Sequence, residues 1–124
     1  MICADSSSFV AYIKGEKHAD VDLLSQALAS RLLVLAPVSV TELLSDPNLP
    51  RDRQELILQV PCLEIMPGYW ERAGKLRALL LGHKLRAKIA DTLIAQSCLD
   101  HDVPLITRDL DFKAFQKFAG LRLL

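Results

Sequence analysis

No stretch of the chain approaches the ~20 consecutive apolar residues that a membrane span needs. The longest apolar run, residues 32–40, is interrupted by Pro37 and Ser39. A basic segment followed by an apolar one is also missing near Met1, so no secretory leader is expected. Cysteine is scarce and unpaired. Cys3, Cys62 and Cys98 are odd in number and far apart. That spacing excludes a disulfide framework and a CxxC-type zinc site. Three reduced, mostly buried thiols and a cytoplasmic location are the expectation. Neither sign of charge dominates, with 15 Lys and Arg against 15 Asp and Glu. A whole-molecule polycation is thereby excluded, while charge gathered on one face is not. Linkers, repeats and low-complexity segments are absent as well.

What is present is ordinary globular composition: 124 residues, 51% hydrophobic and 24% charged. That is one domain's worth of chain, expected to span residues 1–124. Short apolar runs alternate with helix-period stretches, the pattern of an α/β fold with a mainly parallel sheet. Strands are expected at residues 2–4, 32–35 and 104–107, with weaker ones at 62–66 and 121–124. Helices are expected after Ser6 to Ser8, after Asp20, from about Ser39 to Asp46, and over 51–59, 69–81, 87–99 and 111–118. The fold class is a three-layer α/β/α with a sheet of about five strands.

Four carboxylates fall at or just beyond the expected strand ends: Asp5, Glu42, Asp91 and Asp109. In an open parallel sheet the carboxyl ends of the strands share one edge, and ligand crevices form there. Converging carboxylates repel, and either a retained proton or a hard divalent cation relieves the conflict. With no His or Cys at these positions, oxygen-preferring Mg²⁺ or Mn²⁺ fits better than zinc. Such an ion suits phosphodiester hydrolysis, since it activates water and clamps phosphate. Each acid also has a local explanation. Asp5 can cap a helix. Ser39 and Glu42 have capping-box spacing. Asp91 lies in a first helical turn, where an acid meets the helix dipole. Asp109 and Asp111 can serve as turn and cap. Capping, however, does not require four acids at one sheet edge.

The segments Ala4-Asp5-Ser6-Ser7, Val38-Ser39-Val40-Thr41-Glu42-Leu43, Ile89-Ala90-Asp91-Thr92-Leu93-Ile94-Ala95 and Pro104-Leu105-Ile106-Thr107-Arg108-Asp109 through Asp111-Phe112 resemble, in order, motifs of the PIN-domain nucleases. Within that family the likeness is to the VapC-like toxins of type II toxin–antitoxin pairs, and it covers nearly the whole chain. The resemblance implies a Mg²⁺- or Mn²⁺-dependent endoribonuclease whose metal is held by Asp5, Glu42, Asp91 and Asp109. It also implies an RNA substrate, a small antitoxin partner whose C-terminal segment blocks the crevice, and a homodimer. Leu85-Arg86-Ala87-Lys88 departs from the family in being more basic.

Several other features are left open. Residues 51–88 carry eight Lys and Arg against four Asp and Glu, either an RNA track or a solvated face. Arg108, beside Asp109, is a candidate phosphate contact. Ser6 and Thr107 can support the carboxylates or merely cap strand ends. Tyr69 and Trp70 can stack on bases, sit at a dimer interface or pack on the sheet. Asp109 and Asp111 compete for the fourth acidic position. Strand alternation favours Asp109, with Asp111 as helix cap. A phosphoacceptor signalling domain is set aside, because the third strand ends in Met66-Pro67 rather than an acceptor Asp. A catalytically silent binding module on the same fold is the remaining alternative, and intact acids weigh against it.

Overall fold

In the computed structural model, which describes residues 1–124, three short parallel strands form the centre. They are β1 (Ile2–Ala4), β2 (Leu33–Val34) and β3 (Leu105–Ile106), in the spatial order β2-β1-β3. Seven α-helices surround them: α1 (Ser6–Ile13), α2 (Ala19–Ala29), α3 (Pro37–Leu44), α4 (Arg51–Gln59), α5 (Tyr69–Gly82), α6 (Ile89–His101) and α7 (Lys113–Ala119). A 3-10 turn, Leu110–Phe112, precedes α7. No helix is long and apolar enough to cross a membrane.

Alternation along the strands divides the core in two. Cys3, Val34 and Leu105 join one cluster with Leu76, Ile94 and Phe115 of α5, α6 and α7. Ala4, Leu33 and Ile106 join the other with Phe9, Leu24 and Ile57 of α1, α2 and α4. The result is the expected α/β/α sandwich. β1 pairs with β2 through Cys3↔Val34 and with β3 through Ala4↔Ile106. Because β2 and β3 lie on opposite sides of β1, the connections run to either side of it. That is the topological switch point at which such sheets open a crevice.

The expected count of five strands is corrected to three. The segments at 62–66 and 121–124 each contribute one parallel bridge, Leu35↔Cys62 and Leu105↔Leu123. Each makes two hydrogen bonds to its neighbour and then leaves the sheet. Pro61 and Pro67, which lack an N–H, bracket the first of them, so a longer ladder cannot form there. Cys62 is exposed at this edge, whereas Cys3 and Cys98 are buried as expected.

Three caps differ from expectation. α3 starts at Pro37 with Ala36 as cap, because proline's fixed φ and missing N–H suit the first helical position. Ser39 is therefore inside the helix and fully buried, and the capping box with Glu42 does not form. α2 starts at Ala19, which places Asp20 in its first turn. The cap of the 3-10 turn is Asp109, whose Oδ1 accepts from the Asp111 amide at 2.9 Å. Asp111 is left free of that duty.

Candidate functional site

The alternation that sorts the core continues beyond the strand ends. Asp5 follows Cys3 by two residues, and Thr107 and Asp109 follow Leu105 by two and four. Asp5 and Asp109 face α6, and Thr107 bonds to Asp5. A cleft of about 200 Å³ opens there, lined by Asp5, Ser6, Glu42, Lys88, Asp91 and Asp109 among others. The four carboxylates singled out in the sequence thus share one cavity wall, brought from β1, α3, α6 and the end of β3.

Asp5 is 3% exposed. Its Oδ1 caps α1 by accepting from the Ser8 amide at 3.1 Å and also accepts from Ser7 Oγ at 2.8 Å. Its Oδ2 accepts from Thr107 Oγ1 at 2.5 Å, and that hydroxyl in turn accepts from the Asp109 amide at 3.0 Å. Asp5 therefore has a structural and a positioning part at once. It ties the end of β1 to the loop that carries Asp109. Burial raises its pKa, opposed by the bonds from Thr107, Ser8 and Ser7. Replacing Asp5 by Ala removes a cap and strands two hydroxyls. Thermal unfolding should register a loss of about 1–3 kcal/mol. An unchanged melting temperature would mean that this knot carries no stability.

Asp91 stands in the first turn of α6, where the helix dipole alone would favour the carboxylate. Its pKa is nevertheless pushed up to about 6, first by burial and then by the neighbouring charge of Asp109. Lys88 opposes the shift, while Asp111 and Asp5 add to it. Burial and like charge outweigh the dipole here. The Asp91 Oδ2 is buried and has no hydrogen-bond partner. Carboxylate oxygens of Asp91, Asp109 and Asp111 lie within 4.8 Å of one another. Three carboxylates offering converging hard oxygen donors, one of them carrying an unpartnered buried oxygen, fit a divalent cation such as Mg²⁺ or Mn²⁺.

Glu42 is exposed on the rim, and its Oε1 accepts from Ser6 Oγ at 2.7 Å. Lys88 on the same cleft was not singled out as a site residue. Its signal lay in the sequence, one helical turn before Asp91.

Arg108 does not face this cleft. Odd-even alternation sends it to the opposite side, where Nε and Nη2 grip Asp20 at 2.9 and 3.2 Å and Nη1 reaches Glu16 at 3.3 Å. That bidentate pair holds the Asp20 carboxyl down to about 2. The guanidinium proposed as a phosphate contact is thus engaged by two carboxylates away from the cleft. Tyr69 is buried, with its hydroxyl donating to the Leu93 carbonyl, whereas Trp70 is exposed.

Comparison with known proteins adds to this geometry. The structure of FitAcB from Neisseria gonorrhoeae is similar at TM-score 0.71 and 16% identity, covering 100% of this chain and 96% of that one. VapBC2 from Rickettsia felis, solved bound to a DNA fragment from their promoter, is similar at TM-score 0.77 and 20% identity, covering 100% and 98%. FitAB bound to the IR36 DNA fragment gives 0.72 and 16%, covering 100% and 94%. At these identities the likeness establishes the fold. No curated protein matches the chain by sequence. The family model of the PIN domain, however, matches residues 2–118. With the acids of that resemblance gathered at the switch point of the sheet, the chain belongs to the PIN-domain family.

Proposed function

We propose that the chain is a Mg²⁺- or Mn²⁺-dependent endoribonuclease and the toxin of a type II toxin–antitoxin pair. The observation that carries this reading is the cluster of Asp91, Asp109 and Asp111, with its unpartnered buried Asp91 oxygen. Those three, with Asp5 and Glu42 on the same wall, are the residues that would hold the cation. Bound there, the cation would polarise a phosphodiester and make water a better nucleophile.

The chain's own groups do the rest. Thr107 and Ser7 hold Asp5, and through the Thr107 hydroxyl the Asp109 backbone is fixed. Ser6 orients Glu42 at the entrance. Lys88 supplies a positive charge on the cleft for the phosphate backbone. An RNA strand is the substrate of this reading. A small antitoxin that blocks the cleft and a second copy of the chain are its protein partners. A silent binding module would have no use for three carboxylates gathered where burial, and after it the charge of Asp109, raises the Asp91 pKa.

The test is RNA cleavage by the purified protein. It should require Mg²⁺ or Mn²⁺ and stop in EDTA. Full activity in EDTA would refute the metal-dependent reading. A finer test separates the two neighbouring acids. Asp109 lines the cleft with Asp5 and Asp91, so Asp109→Asn should lower activity and raise the metal concentration needed. Asparagine still caps the turn, so folding should survive. Asp111→Asn should act in the same direction but less. Parallel metal titrations decide the order, and a larger defect in Asp111→Asn would exchange the two roles.

A further inference from the structure

The first turn of α6 separates two depressions. Lys88, Ala90, Asp91 and Ile94 face the acidic cleft. Ile89, Thr92 and Leu93, at helical spacing on the other side, line a second depression against α5, completed by Trp70, Gly74 and Arg77 among others. The separation is about one helix diameter, ~10 Å. A flexible single strand crosses that distance in very few nucleotides.

The second depression is preformed. Trp70 is 63% exposed and Ile89 is equally open. The indole meets the Tyr69 ring edge-on at 4.9 Å and 82°, and the Tyr69 hydroxyl donates to the Leu93 carbonyl at 2.7 Å. The Arg77 Nε donates to the Ala87 carbonyl at 2.7 Å, which aims the guanidinium without neutralising it. Gly74 leaves the floor open, since a Cβ there would meet nothing within 4 Å. The volume is about 220 Å³, more than the ~150 Å³ that accommodates a benzene ring.

We propose that this depression is a nucleobase subsite, in which a base flanking the cleaved phosphodiester stacks on Trp70. The proposal rests on the nuclease reading above. Charge selects the occupant. Residues 69–88 carry six Lys and Arg against the single acid Glu71. Of these, Lys75, Arg77, Lys84, Arg86 and Lys88 form no ion pair. Arg77 lines this depression and Lys88 lines the cleft beside it, so a polyanionic strand crossing the first turn of α6 meets a cation on each side. A second copy docked here about a two-fold axis would bring the unpaired Arg77 of both chains into one interface.

Trp70 is the sole tryptophan, so its fluorescence reports on this depression directly. The protein is titrated in EDTA with a short single-stranded RNA of mixed sequence, and with an abasic strand of equal length and charge. Saturable quenching by the intact strand and none by the abasic strand is the expected result. Trp70→Ala should weaken binding of the intact strand about 5- to 150-fold, with the loss in cleavage falling on KM, while Trp70→Phe restores most of it. Equal quenching by the abasic strand would overturn the subsite. So would an emission shift that follows protein concentration and a doubling of mass without RNA, which marks a protein interface. Cleavage without quenching would overturn the subsite and leave the nuclease reading intact. Base-dependent quenching with no cleavage in Mg²⁺ or Mn²⁺ would support the subsite and overturn the nuclease reading.

Discussion

Asp91→Asn should reduce RNA cleavage by on the order of 100-fold or more, while making the metal-free protein more resistant to heat at neutral pH. The two effects share one cause. Asp91 is pushed up to about 6 in the fold by burial and by Asp109, whereas in the unfolded chain it titrates near its usual 3.8. Between these values the folded protein holds more protons than the unfolded one, so stability falls as pH rises through this window. Above pH 6 the carboxylate is a net strain on the metal-free fold, and asparagine removes that strain at nearly constant shape. The group is only half-buried, so solvent screening limits the gain to a few degrees in Tm. Below about pH 4 the two proteins should melt alike. Added Mg²⁺ or Mn²⁺ should stabilise the wild type more than the variant, because a ligand stabilises the state that binds it. Wild-type cleavage in Asp91→Asn would remove the cluster from the chemistry. A lower Tm at neutral pH would show that the carboxylate holds the fold together instead.

Expression of the chain alone should stop bacterial growth, and expression of Asp91→Asn should not. A typical enzyme turns over about 10 times per second. A ribonuclease with that turnover needs few copies to deplete an RNA pool, so a free copy is costly to the cell and a neutralising partner becomes necessary. The cleft suits neutralisation. Lys88 and the clustered acids lie open at the sheet edge, within reach of an inserted peptide that brings its own charges. Colony counts after induction, with the variant as control, measure the effect. Co-expression with a cognate antitoxin should restore growth. Normal growth of cells containing abundant, RNA-cleaving protein would remove the toxin role and spare the enzyme.

Local chemistry made much of this molecule legible in its sequence. The apolar runs at β1, β2 and β3 and the helical stripes of α2, α5 and α6 depend on neighbours a few residues away. So does Asp5 as the cap of α1, which accepts from the amide of Ser8. Thr107 bonds to Asp5, and the backbone amide of Asp109 bonds to Thr107, which ties the end of β3 to the end of β1. Other features depended on partners distant in the chain. Thr107 and Asp5 are 102 positions apart, and they meet only because β3 lies beside β1. Arg108 is paired with Asp20, 88 positions away on the far face of the sheet. Glu42 looked bonded to Ser39, but Pro37 began the helix two residues earlier and left Glu42 for Ser6. The edge segments at 62–66 and 121–124 are the weaker strand signals, and a strand at the margin has one neighbour; here each pairs through a single residue. Spacing and residue type determined which groups were available. Which of them shared a volume of about 200 Å³ was decided by the order of the strands, because carboxylates interact over a few ångströms of space and not along the chain.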